Sequence, residues 1–163
     1  MAVKKERVVK KKKLKVEKTP RQLKDVLLPV TFVIEGAGLS INHMYARFKG
    51  RVFLKPAGKN FKLNGAIHLC NQLGFDYSVN DKTKEITVIH GIAEQKYKVI
   101  YKVYGRWLTK KGDILKSDAS NRLKLVEDAL SEAIGVDDKY FWDTQIIKIH
   151  SVEEKFEITL DLL

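Results

Sequence analysis

In the run "SDASNRLKLVEDALSEAIGVDD", residues 117–138, carboxylates, an amide and a lysine recur at spacings a reaction can use. On a helix advancing about 100° per residue, Asn121, Lys124 and Asp128 fall within about 60° of one another. Leu123, Val126, Leu130, Ala133 and Ile134 gather on the opposite side. Asp118 stands at the helix entrance, one turn before Asn121, and Asp137 and Asp138 follow its end. Carboxylate oxygens suit a hard cation such as Mg²⁺, which keeps waters in its shell, and a lysine can offset charge building on a phosphorane. That is the side-chain set used in metal-assisted phosphodiester hydrolysis. Each residue also has a plainer reading: Asp118 as a helix cap, Lys124 and Asp128 as an i,i+4 pair, Asp137 and Asp138 as a solvated turn.

Something must hold these groups in place, and the chain around them alternates between strand and helix periods. "VLLPVTFVIEG" predicts a strand centred on Thr31 to Ile34, stopped by Gly36 and Gly38. "GAGLSINHMYARFKG" reads as a loop and "RVFLK" as a second short strand. From Lys59 to Gly74, Leu63, Ala66, Ile67, Cys70 and Leu73 recur at three and four residues, which predicts a helix. "YSVNDKTKEITVIHG" predicts a hairpin turning at Asn80 to Thr83. "KYKVIYKVYG" alternates, placing Tyr97, Val99, Tyr101 and Val103 on one face of a central strand. A second helix is expected over Ser117 to Ile134, ended by Gly135, and strands over Thr144–His150 and Lys155–Leu162. The sum is an α+β domain in which one sheet packs against two helices.

The acidic run resembles the signature of the RusA-type Holliday junction resolvases: Asp-x-Asp/Ser-Asn-x-x-Lys, three residues, Asp-Ala-Leu, and a short gap to an Asp-Asp pair. Upstream, "LSINHMYARFKGRVFLKPAGKNF" resembles that family's Pro-Pro-Ser-x-Asn-x-x-Tyr loop, Gly-Arg strand and Gly-Lys/Gln-x-Tyr/Phe helix start. The resemblance spans roughly residues 29–162. It implies a homodimer whose mixed β-sheet packs against two main helices. It also implies an endonuclease that uses Mg²⁺ or Mn²⁺ to nick branched DNA, chiefly four-way junctions, symmetrically. Small resolvases of this kind are typically encoded by phages and prophages. Carried over by position, Asp118 and Asp138 would bind metal and Lys124 would be the catalytic lysine, with Asn121 and Asp128 supporting or completing the site and Asp137 beside it. Ser120 departs from the pattern by standing where some members have a second Asp. Either Asp128 then becomes the third metal carboxylate, or metal affinity falls. Gly38-Leu39 replaces a common Pro-Pro, a change in stiffness more than in chemistry. Asn42, His43 and Tyr45 would lie near DNA or the active site, with Arg47, Lys49 and Arg51 meeting phosphates, although a polar loop is also simply a loop.

Charge is unevenly spread. Residues 1–24 hold 11 Lys and Arg against Glu6 and Glu17, a net of +9, while the other 139 residues hold 20 basic and 18 acidic side chains, a net of +2. The first segment, with Lys10, Lys11, Lys12 and Lys13 at its centre, reads as a flexible basic arm outside a domain at 25–163. It would either add salt-sensitive, sequence-independent affinity for phosphate backbones or serve as a solubilising extension.

No run approaches the roughly 18 apolar residues of a membrane span, and no apolar block of a signal peptide follows the lysines, so the expected location is cytoplasmic. Cys70 is the single cysteine, leaving no internal disulfide framework. His68 and Cys70, two apart on a helix, point about 200° away from each other, which argues against a zinc pair. "GAGLSI" lacks the third glycine of a dinucleotide loop and no phosphate-loop motif is present, so no nucleotide cofactor is expected. "KYFWD", residues 139–143, reads either as a base-stacking cluster or as the start of a packed strand. The competing function is a non-catalytic DNA-binding protein of the same fold that has lost metal-dependent cleavage, with Ser120 as the symptom.

Overall fold

The computed structural model describes residues 22–36, 44–116 and 118–163. In chain order the elements are β1 (Gln22–Leu23), β2 (Val30–Glu35), β3 (Tyr45–Phe48), β4 (Arg51–Leu54), α1 (Pro56–Leu73), β5 (Tyr77–Asn80), β6 (Glu85–Val88), β7 (His90–Gly91), β8 (Tyr97–Gly105), α2 (Ser120–Ile134), a 3₁₀ turn (Asp138–Tyr140), β9 (Phe141–His150) and β10 (Lys155–Leu162). Four strands form a mixed sheet in the order β2-β10-β8-β9. β10 runs antiparallel to both β2 and β8, and β9 runs parallel to β8.

Alternation builds the core. In register, Ile158 faces Phe32 on one side and Tyr101 on the other. Phe156, Ile158 and Leu160 of β10, Phe32 and Ile34 of β2, and Tyr97, Val99, Tyr101 and Val103 of β8 are all buried. Successive strand side chains point to opposite faces, so these positions share the face that the helices cover. From α1, Leu63, Ala66, Leu69 and Cys70 join them, and from α2 Leu123, Val126, Leu130, Ala133 and Ile134. The fold is thus α+β, with two helices and a mixed sheet among the described residues.

β8, α2 and β9 form a strand–helix–strand crossover. A parallel neighbour cannot be reached by a tight turn, so the chain must cross the sheet through a helix. That is why α2 carries candidate groups at its start, along its flank and just past its end.

α1 begins at Pro56 rather than Lys59 and β9 at Phe141 rather than Thr144, and three further expectations need correction. Tyr45–Phe48 is a strand, not part of a loop: it pairs antiparallel with Arg51–Leu54. None of its four residues is buried, so it leaves no apolar period in the sequence. Gln22 and Leu23, assigned to the arm, pair with His90 and Gly91, and the Lys24 N–H donates to the Gly91 carbonyl at 2.8 Å, so the folded body begins by Gln22 rather than at residue 25. The second helix starts at Ser120, with Asp118 before it in irregular backbone.

Candidate active site

α2 buries one broad face and leaves a flank carrying Lys124, Glu127 and Asp128. Gly135 ends it at φ 75°, a left-handed geometry that costs glycine least. Val136 is then buried, and Asp137 caps the 3₁₀ turn: its Oδ1 accepts the Lys139 N–H at 3.0 Å and its carbonyl accepts the Tyr140 N–H at 3.0 Å. The reversal carries Asp138 back alongside the helix. Lys124 Nζ lies 2.9 Å from Asp128 Oδ1, 3.3 Å from Asp138 Oδ2 and 3.7 Å from Glu127 Oε2. One ammonium thus holds carboxylates from two elements.

Electrostatics follow from that crowding. Burial opposes the Lys124 charge, but hydrogen bonds and attraction from Asp128, Asp138 and Glu127 outweigh it and hold the ammonium well above its ordinary pKa. Glu127 is pushed the other way: half-buried and beside Asp138 and Asp128, its carboxyl sits above the usual range despite Lys124. Beneath the cluster, on β8, the buried Tyr101 hydroxyl has no hydrogen-bond partner. Burial first, then Glu127, Asp138 and Asp128, raise its pKa strongly. Neither Glu127 nor Tyr101 stood out in the sequence. Glu127 lies three residues after Lys124, a usable signal, whereas Tyr101 is indistinguishable there from its buried neighbours.

Asp118 occupies a different place. Its Oδ1 accepts the Ser120 N–H at 3.0 Å, and the Ser120 hydroxyl and N–H together, with Lys148 nearby, hold its carboxyl below the usual range. Ser120 therefore acts as a donor to Asp118. The structure joins Lys124, Asp128 and Asp138 by direct ion pairs, while Asp118 is engaged by Ser120 at the N-terminal end of α2. Asn121 is half-buried on the first turn of α2.

A cleft of about 460 Å³ runs beside the cluster, with Asp128, Asp137 and Asp138 along one side and Glu94 and the Lys62–Glu132 ion pair (3.1 Å) completing its wall. Among the described residues no group of three His, Cys, Asp or Glu side chains is spaced to hold a metal ion. The donors that do converge are Asp128 and Asp138. Mg²⁺ is commonly held by one or two carboxylates with waters and substrate phosphates completing its shell, so this pair suits a cation that arrives with phosphate rather than a preformed three-carboxylate cage.

Of the residues expected to touch DNA, Tyr45, Arg47, Lys49 and Arg51 lie on the β3–β4 hairpin. Asn42, His43, Lys10, Lys11, Lys12 and Lys13 fall outside the described residues. The 139–143 cluster divides: Tyr140 donates its hydroxyl hydrogen bond to Glu94 (2.6 Å), Phe141 packs against the core, and Trp142 is 61% exposed with the Lys96 ammonium 3.7 Å from its ring centre. On α1, His68 is exposed and Cys70 buried, its sulfur 3.9 Å from the Ala133 carbonyl oxygen.

A family model described as Endodeoxyribonuclease RusA matches residues 38–161. The chain belongs to the RusA family. No curated protein matches it. RusA membership implies Holliday junction endonuclease activity and binding to branched DNA. The RusA match encloses the hairpin, α2 and the Asp138 turn, and leaves the basic segment at residues 1–21 outside. No described helix is long and apolar enough to cross a membrane.

Proposed function

We propose that this RusA-family chain is a homodimeric, structure-selective endonuclease that resolves four-way junctions by paired symmetric nicks with Mg²⁺ or Mn²⁺. The observation that carries this reading is the Lys124 ammonium held between Asp128 and Asp138 at the edge of an open cleft. Three carboxylates around one ammonium leave a formal excess of two negative charges, which would repel a phosphodiester. A divalent cation held by Asp128 and Asp138 would cancel that excess, lower the pKa of water and polarise the phosphate.

The chain's own residues do the rest. Lys124, protonated across the physiological range, donates to a non-bridging phosphate oxygen as negative charge grows there. Asp138 and Asp128 fix its direction, and Asp137 fixes Asp138 by capping the turn. Glu127 adds a third carboxylate beside Lys124, its Oε2 3.7 Å from the ammonium. Asp118 stays in the proposal as the first carboxylate of the family pattern, kept ionised by Ser120. Dimerisation follows from the reaction: two symmetry-related cuts are most simply made by two copies of one site about a two-fold axis.

The test is a synthetic four-way junction incubated with the full chain in Mg²⁺, with and without chelator. Wild type should leave ligatable symmetric nicks. Lys124→Met and Asp138→Asn should each lose on the order of 10²- to 10³-fold in nicking rate while still binding the junction. Asp118→Asn shows whether that residue acts in cleavage or only at the start of α2. Junction binding by wild type without any metal-dependent nicking would reduce the protein to a binding module.

A further inference from the structure

Among the described residues, the β3–β4 hairpin is a projecting element that leaves Phe48, Val52 and Phe53 exposed. Its strands are joined by Lys49 and Gly50, both at positive φ (48° and 74°), a two-residue turn whose twist suits a tight hairpin. Its base is anchored: Met44 is buried, and its carbonyl accepts the Lys55 N–H at 2.7 Å. Leu54 sits over Gly58 of α1, where any Cβ would lie 2.6 Å from Leu54 Cδ1 and 3.4 Å from Leu125 Cδ1, so the hairpin is rooted at the helical level that carries Lys124.

Register divides the hairpin into two faces. Tyr45, Arg47, Val52 and Leu54 share the face that packs towards Gly58, while Ala46, Phe48, Arg51 and Phe53 share the other. On that outer face Phe48 is 64% and Phe53 48% exposed, and Val52 on the reverse is 60% exposed. An exposed aromatic pair on an anchored arm has surface to bury on something outside this chain.

Charge says what. No acidic residue occurs between Glu35 and Asp76, while Arg47, Lys49 and Arg51 alternate with the apolar residues of the hairpin itself. On the outer face Arg51, with Lys49 at the turn, stands beside the rings, so two copies meeting here about a two-fold axis would set these cations against their own copies with no carboxylate to offset them. A polyanion with flat apolar faces meets both demands, because its phosphates neutralise the cations and its bases stack on the rings.

We propose that the outer face of this hairpin is a stacking arm: Phe48 and Phe53 stack on bases exposed at the branch point of the DNA, with Lys49 and Arg51 holding the flanking phosphates. The inference rests on the branched-DNA reading above and adds to it a source of selectivity for branched over linear DNA. Inside a continuous duplex every base face is covered by its neighbours, whereas a branch point interrupts that stacking.

The experiment uses the full chain in chelator, so that binding is read without cleavage. The probes are a four-way junction with 2-aminopurine at the branch and a linear duplex carrying the same label. Wild type should change the junction fluorescence and bind the junction more tightly than the duplex. Phe48→Leu with Phe53→Leu, which keeps the apolar surface and removes the rings, should weaken junction binding by on the order of ten-fold. It should also abolish the fluorescence change and leave duplex binding within about two-fold. Phe48→Trp with Phe53→Trp should restore both junction signals, which excludes misfolding as the cause. Equal losses on junction and duplex, or an unchanged fluorescence response, overturn the stacking arm. So does a leucine variant that falls from dimer to monomer in sedimentation, which makes the hairpin a subunit contact. A wild-type protein that binds junctions but never nicks them in Mg²⁺ sinks the endonuclease reading and leaves this measurement intact.

Discussion

Glu127 illustrates how a residue outside the family pattern can belong to the site physically. It is ion-paired with Lys124 at 3.7 Å, yet burial and the charges of Asp138 and Asp128 raise its pKa. The folded protein therefore binds this proton more tightly than the unfolded chain does. The contribution of Glu127 to wild-type stability should fall as pH rises from the ordinary glutamate range through the raised value, and stay lowered above it. Glu127→Gln removes that penalty and leaves Lys124 its two closer partners. The variant should be the more stable of the two in urea denaturation at pH 7.5, with the gain disappearing below about pH 4, where Glu127 is protonated in folded and unfolded chains alike. A gain that persists at low pH would mean that the amide packs better, and that the carboxylate is not strained. Asp118 has the opposite sign: held below its usual range by Ser120, it favours the native state above that range and ceases to do so in acid.

At the scale of elements, α2 does two jobs with one period. Leu130 is fully buried on the face opposite Lys124 and Asp128, so Leu130→Ala should cost about 2–5 kcal/mol in chemical denaturation. Because Lys124 and Asp128 stay one turn apart on the helix whatever lies beneath it, nicking below the lowered melting temperature should survive; its loss there would show that the core sets the spacing of the site. Period is also what made most of the fold legible. The buried alternation of Tyr97 to Val103, the β10 strand and both helices follow from apolar spacing alone, as does the stripe of Lys124 and Asp128. β3 was hidden because an exposed hairpin has no apolar period. β1 and β7 were hidden because a two-residue parallel ladder leaves no local signal. In the site, the return of Asp138 depends on how the chain turns at Gly135 and Asp137. The engagement of Asp118 by Ser120 depends on where α2 begins, which the sequence put three residues early.

For the whole molecule, the distribution of charge predicts two modes of contact with DNA. The folded body combines an acidic cleft with a basic hairpin, which in the proposed function meet the branch point of the DNA. Residues 1–21 instead carry ten Lys and Arg against two Glu, a net of +8. Affinity from such a segment comes from counterion release, which every duplex offers equally. Deleting residues 1–21, and stopping there because Gln22 to Lys24 pair with the fold, should weaken junction and linear duplex by similar factors. The slope of log affinity against log salt should flatten by about 0.9 for each phosphate that the segment no longer neutralises. The preference for junction over duplex should be kept, since the hairpin and cleft remain. Titrations of both DNAs across a salt series decide the matter. An unchanged slope would show that the segment does not touch DNA, and a weakening confined to the junction would make it part of branch recognition.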